Sequence, residues 1–195
     1  MRKSLFGLIT FFCVTLTASS QTKKDWYMIG GNIADINLDF QKNNTAFAFN
    51  LYPRVAWFIK DDLAVGVEVL LGLNTSTGYT AVSYGVGPVA RYFLGTPGVE
   101  SVKKTRWFLD GNVGIYGQNT KVSGTSSVST NGLGFGFGPG LAYFLNQNIA
   151  LEGLVKYNLT VGFGSSVTTN SLNAAVGFQI YLPKAKLNSM KKDVQ

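Results

Sequence analysis

Histidine is absent from the chain, which removes the usual general base and the commonest metal ligand together. Cysteine occurs once, as Cys13, so the chain can close no disulfide within itself and can build no cysteine metal centre. Charge is scarce as well. Only 14% of the residues are Asp, Glu, Lys or Arg, too few to give a soluble β-protein the hydrated outer face it needs. Serines are plentiful, but a serine without a base is a poor nucleophile, so no enzyme activity and no cofactor is expected. The run Gly134-Phe135-Gly136-Phe137-Gly138 has the look of a phosphate-binding loop. Each glycine there alternates with an apolar residue, however, and neither a lysine nor a helix follows.

What is present begins with a basic start, Met1-Arg2-Lys3, an apolar stretch from Leu5 to Leu16, and small residues at Ala18 and Ser20. This pattern predicts a signal peptide over residues 1–20, cleaved before Gln21, because the run is too short to span a bilayer core of about 30 Å as a helix. Cys13 sits behind Phe11 and Phe12 in mid-run, where a lipid-attachment cysteine would follow a small residue. Setting aside Arg2, Lys3 and the tail's Lys184, Lys186, Lys191, Lys192 and Asp193 leaves +2 of the formal +7. The basicity is therefore that of a solvated tail, residues 184–195, and not of a nucleic-acid-binding surface. Residues 21–183 form one domain with no internal linker.

Within that domain apolar residues alternate with small or polar ones, and no segment keeps a helical period. The expected strands run from Trp26 to Phe40, Thr45 to Ile59, Leu63 to Leu73, Tyr79 to Leu94, Thr105 to Gly117, Asn131 to Leu145, Ile149 to Phe163 and Thr169 to Leu182. Leu63, Val65, Val67, Val69, Leu71 and Leu73 share one face, opposite Ala64, Gly66, Glu68, Leu70 and Gly72. Trp107, Leu109, Val113 and Ile115 likewise oppose Arg106, Asp110, Asn112 and Gly114. With so little charge for water, the apolar face must meet lipid. An open sheet edge in hydrocarbon would leave backbone groups unpaired at several kcal/mol each. The fold class is accordingly all-β: an eight-stranded antiparallel up-and-down transmembrane β-barrel.

A repeat orders the ends of the barrel. Pro53 to Ile59, Pro88 to Leu94 and Pro139 to Leu145 share proline, three residues, Trp or Tyr, Phe, then Ile or Leu. Each closes an even-numbered strand, so the turns that follow lie at one end. Trp57, Tyr92 and Tyr143, joined by Trp107, are expected to form an aromatic girdle there. The tight turns at that end are expected to face the periplasm, and the Ser, Thr and Gly segments around Thr75–Gly78, Lys121–Thr130 and Ser165–Thr168 to form looser loops outside. Proline removes a ladder hydrogen bond, so its recurrence at one level predicts three equivalent bulges.

The remaining constellation is a set of inward charges: Arg54, Glu68, Arg91, Asp110, Glu152 and Lys156, three of each sign. Side chains just fill the interior of an eight-stranded barrel, which predicts a paired network inside the barrel and not a charged channel wall.

Pro53 to Val65, Tyr84-Gly85-Val86-Gly87-Pro88, Phe135-Gly136-Phe137-Gly138-Pro139-Gly140 and the last strand resemble the small outer-membrane β-barrel family. That family includes the transmembrane domain of outer membrane protein A, and the closest likeness is to its Bacteroidetes versions. The resemblance covers Gln21 to about Pro183. It implies integral residence in the bacterial outer membrane, with lipid and, during assembly, the insertion machinery as partners, and with the barrel as a monomer. Gly177, Ile180 and Leu182 resemble the family's insertion signal, although Ala175 replaces a polar residue and the chain runs on from Lys184 to Gln195. The family's barrel enzymes rely on a histidine that this chain lacks. The expected function is a structural or surface-interaction role, with a narrow conduit for small or hydrophobic solutes as the alternative.

Overall fold

Period-two alternation decides the architecture, because successive side chains on an extended strand leave opposite faces. A computed structural model describes residues 22–41, 44–94, 104–163 and 168–185. Its strands are β1 (Trp26–Gln41), β2 (Asn44–Lys60), β3 (Leu63–Ser76), β4 (Tyr79–Phe93), β5 (Thr105–Val122), β6 (Val128–Phe144), β7 (Ile149–Gly162) and β8 (Thr168–Pro183). Each pairs antiparallel with the next, and β8 returns to β1 to close the barrel. The signal-peptide segment and most of the tail lie outside the described residues.

The register sets the tilt. From Tyr27 the partners run through Trp57, Val65, Ala90, Gly111, Phe137 and Tyr157 to Leu172, whereas Tyr27 itself pairs with Leu182, a stagger of ten residues. Closing eight strands with such a shear tilts them by about 35–45°.

The interior is layered. At the end where the Asp61-Asp62 turn lies, Thr22, Asp62 and Arg106 cap the mouth, with Arg106 Nη2 bonded to Asp62 Oδ1 at 3.0 Å and Thr22 bonded to both residues. Above them Phe58, Phe93, Phe108, Phe144 and Tyr181 are buried together with Met28 and four alanines, their neighbouring ring centroids 5.2–6.4 Å apart. This aromatic layer fills the cross-section. The charged residues come next, then a layer of amides and phenols that includes Tyr52, Asn112, Tyr116, Asn158 and Asn173.

The three prolines lie within β2, β4 and β6 and form no bulges, contrary to expectation. Pairing with the preceding strand continues through them, as Gly31↔Pro53, Val67↔Pro88 and Leu109↔Pro139. Pairing with the following strand is interrupted for two residues and then resumes in the same register. The missing N–H points toward the following strand, so each proline costs a ladder bond on one side only and needs no extra residue. Gly87 and Gly138, directly before Pro88 and Pro139, leave the space into which the carbonyl oxygens of Val113 and Val155 lean. The register does shift at Asp35–Ile36 in β1 and at Ile59 in β2.

The loops also differ from expectation. Thr75 and Ser76 belong to β3, Lys121 and Val122 to β5, and Val128 to Thr130 to β6, leaving Thr77-Gly78 as a two-residue turn. The longest connection joins β4 to β5 at the same end as Asp61-Asp62. Polar Thr and Ser residues keep pairing because β-branched and hydroxyl side chains suit an extended ladder.

Closure is shortest at the β1–β8 seam. Its ladder runs only from Trp26↔Pro183 to Ala34↔Ala175, and above it Thr168 to Ala174 of β8 pair with β7. Asp35, in the left-handed region at φ 55°, clasps the seam with its side chain. Its carboxylate accepts from Asn173 Nδ2 at 2.7 and 2.9 Å and from Asn50 Nδ2 at 2.7 Å.

Candidate functional site

Arg54 and Glu68 are register partners across β2 and β3, and Arg91 and Asp110 are partners across β4 and β5. Parity turns all four inward, and Glu152 and Lys156 face them from β7. The structure joins all six into one network. Arg54 pairs with Glu68, and its Nη1 lies 2.6 Å from Asp110 Oδ2. Arg91 reaches Asp110 at 3.0 Å and Glu152 at 2.6 Å. Lys156 Nζ lies 2.8 Å from Asp110 Oδ1 and 3.6 Å from Glu68 Oε1. Tyr181 donates its hydroxyl to Glu152 Oε1 at 3.0 Å, and the Arg91 guanidinium stands 3.9 Å above the Phe108 ring centroid.

Three cations facing three anions make the cluster neutral, which is what a low-dielectric interior requires of buried charge. The other five side chains are at most 2% exposed, and only Lys156 reaches 10%. Space for these long side chains comes from β6, whose inner face carries Gly134, Gly136, Gly138 and Gly140. Tyr116 lies over Gly134, Asn112 and Asn158 over Gly136, the backbone at Lys156 beside Gly138, and Phe108 over Gly140. This is the structural meaning of the glycine run read in the sequence. Chemically the cluster is occupied with itself: each carboxylate already faces a guanidinium or an ammonium. Among the described residues no group of three or more acidic or thiol side chains is placed to hold a metal ion.

On the outside Trp57, Tyr92, Trp107 and Tyr143 are all exposed, each offset by two residues in register from the one before it, a drift in the sense of the barrel's own stagger. A second belt, which the sequence reading missed, lies at the opposite end of the apolar band. Tyr84 donates to Asn131 Oδ1 at 2.9 Å, Tyr157 donates to Asn170 Oδ1 at 3.0 Å, and Asn119 donates to Ser129 at 2.8 Å. The available signal was the change from outward aliphatic to outward Asn on β5, β6 and β8. From Trp107 to Asn119 along β5 is twelve residues, roughly 40 Å of strand and about 30 Å of height once tilted, matching a bilayer core. Of the residues read as an insertion signal, Ile180 and Leu182 face outward on β8, and Gly177 faces inward beneath the Asn32 amide.

The sequence matches the family model described as an outer membrane protein β-barrel domain over residues 4–179. Among solved structures, Neisserial surface protein A is similar with a TM-score of 0.57 and 16% identity, covering 82% of this chain and 97% of that one. Ail of Yersinia pestis has a TM-score of 0.48 and 15% identity, with 82% and 99% covered. OprG of Pseudomonas aeruginosa has a TM-score of 0.48 and 14% identity, with 85% and 100% covered. At 16% identity the likeness to Neisserial surface protein A is one of fold. No curated protein matches the chain by sequence.

Proposed function

The chain belongs to the outer membrane protein β-barrel domain family, a family of the outer membrane, and from that premise we propose a non-enzymatic barrel with a structural or surface-interaction role. The carrying observation is the filled cross-section. The aromatic layer of Phe58, Phe93, Phe108, Phe144 and Tyr181 is at most 5% exposed, and the six paired charges lie directly on it. An ion crossing this interior would have to break buried pairs and then pass a layer of rings, with no water to replace its hydration shell.

Outer-membrane lipid is the constant partner in this reading. Residues 1–20 serve as the export signal, 21–183 as the barrel and 184–195 as a periplasmic tail, with Gly177, Ile180 and Leu182 presented to the insertion machinery and the barrel acting as a monomer. Single-channel recording and liposome swelling with the purified protein test the proposal. Conductance no greater than that of protein-free bilayers is expected; a steady, solute-size-dependent flux would replace this reading with a narrow conduit.

A further inference from the structure

Charge is unevenly divided between the two ends of the barrel. The six lumen charges cancel, and above them the described side chains carry one charge of each sign, Asp35 and Lys121. At the end of the Asp61-Asp62 turn, Lys23, Lys24, Lys60, Lys104, Arg106 and Lys184 stand against only Asp25, Asp61 and Asp62. The positive surplus of the described residues therefore lies wholly at that rim. Its carboxylates are already engaged: Asp62 pairs with Arg106 at 3.0 Å, Asp25 faces Lys184 at 3.8 Å, and Asp61 accepts from the Lys24 backbone N–H at 2.7 Å. Lys23, Lys24, Lys60 and Lys104 are exposed and have no carboxylate partner among the described residues.

The strands set these lysines at a common depth. Tyr27, Trp57 and Leu182 form one register row across β1, β2 and β8, and Lys24, Lys60 and Lys184 stand two or three residues beyond it. Backbone bonds tie the three segments together, since the Asp25 N–H donates to the Phe58 carbonyl at 3.0 Å and the Lys184 N–H to the Asp25 carbonyl at 3.1 Å. The register shift at Ile59 makes Lys60 the partner of Leu63, which puts it on the outer face instead of inside with Phe58. Three residues beyond an interfacial ring is about 10 Å of strand and about 7 Å of height once tilted. The headgroup layer outside the hydrocarbon is about 5–7 Å thick, so these lysine stems bring their ammonium groups to the level of lipid phosphates.

We propose that this basic arc on the β8–β1–β2 wall binds the headgroup of an anionic phospholipid in the leaflet around that end, periplasmic in the reading above. Each ammonium is a compact point charge suited to a phosphate oxygen, and a zwitterionic headgroup offers no net charge to offset the surplus at the rim. A soluble acidic partner fits less well, because it would approach from water while the lysines stand at headgroup depth. The inference rests on the membrane-barrel reading and needs no path through the lumen.

The test places the protein in phosphatidylcholine nanodiscs with a trace of phosphatidylglycerol or phosphatidylcholine spin-labelled on the acyl chain. Electron paramagnetic resonance reads the motionally restricted fraction of each label. Labelled phosphatidylglycerol is expected to associate about five-fold more strongly than labelled phosphatidylcholine, which is one lysine's attraction to an anionic surface. The triple variant Lys23→Gln/Lys24→Gln/Lys60→Gln should bring the ratio to within about two-fold of unity, whereas Lys23→Arg/Lys24→Arg/Lys60→Arg should keep it. Lys121→Gln, at the opposite end, should leave it unchanged. Equal association of the two lipids with a wild-type barrel that shows its unboiled gel shift overturns the site in favour of a soluble acidic partner. A preference that survives the glutamine variant, is lost in the arginine variant or is abolished by Lys121→Gln overturns the assignment to this arc. Loss of the gel shift by the wild-type protein would instead remove the membrane-barrel premise.

Discussion

Lys156 Nζ stands 2.8 Å from Asp110 Oδ1 although the two residues belong to β7 and β5, strands that share no ladder. Asp110 also holds Arg54 from β2 at 2.6 Å and Arg91 from β4 at 3.0 Å, so one carboxylate ties four strands together across the lumen. Energetically it is the hub of the interior.

Asp110→Ala therefore leaves a buried surplus of positive charge and is expected to destabilise the barrel by about 3–5 kcal/mol. Urea unfolding in lipid vesicles, followed by loss of the unboiled gel shift, measures it. Adding Lys156→Met should recover part of the loss, since it restores neutrality. A single variant as stable as the wild type would mean that the network carries no net load.

The proline positions give a prediction of unusual sign. Pro88→Ala restores an N–H without disturbing a register already continuous on the β3 side, and its effect should stay within about 1 kcal/mol. Gly87→Ala and Gly138→Ala, by contrast, drive a methyl group into the Val113 or Val155 carbonyl oxygen and should cost about 1–3 kcal/mol. Equilibrium unfolding of the three variants side by side checks the order.

At the capped mouth, Asp62 holds φ at 66° and pairs with a half-buried Arg106. Asp62→Ala loses the ion pair and keeps an unfavourable backbone, whereas Asp62→Gly loses the pair and relieves the backbone. The alanine variant should be less stable than the glycine variant by about 1 kcal/mol, measurable as a difference in unfolding midpoint.

Trp26 packs against the interior core, so a Trp26→Phe variant leaves as its indoles Trp57 and Trp107, which face outward at one end of the barrel. Their fluorescence in bilayers of brominated lipids should be quenched more by bromine near the headgroup than by bromine near the chain end, as interfacial indoles require. Deeper quenching would move the lower belt into the hydrocarbon and change the orientation drawn here.

Much of this was legible from Leu63 to Leu73, where six aliphatic side chains alternate with three small residues, one glutamate and one leucine. Such a pattern is local: parity alone turns Glu68 inward and Val67 outward, whatever the partner strand. The same logic placed Arg54, Arg91, Asp110, Glu152 and Lys156 on the inner face and Trp57, Tyr92, Trp107 and Tyr143 on the outer. Reading the prolines as bulges failed because alternation says nothing about which neighbour a missing N–H faces. Tyr84 and Tyr157 escaped notice because their partners, Asn131 and Asn170, lie on other strands.

By itself, then, the sequence determined the strand count, the two faces and the sign balance of the interior, all of which follow from a period of two along one chain. Tertiary structure alone decided which charges meet and where the closing ladder ends. The physical reason is register: alternation is unchanged when a strand slides by two residues. The ten-residue stagger that brings Arg54 to Asp110 and leaves β8 above Ala175 without β1 is set only when all eight strands close together.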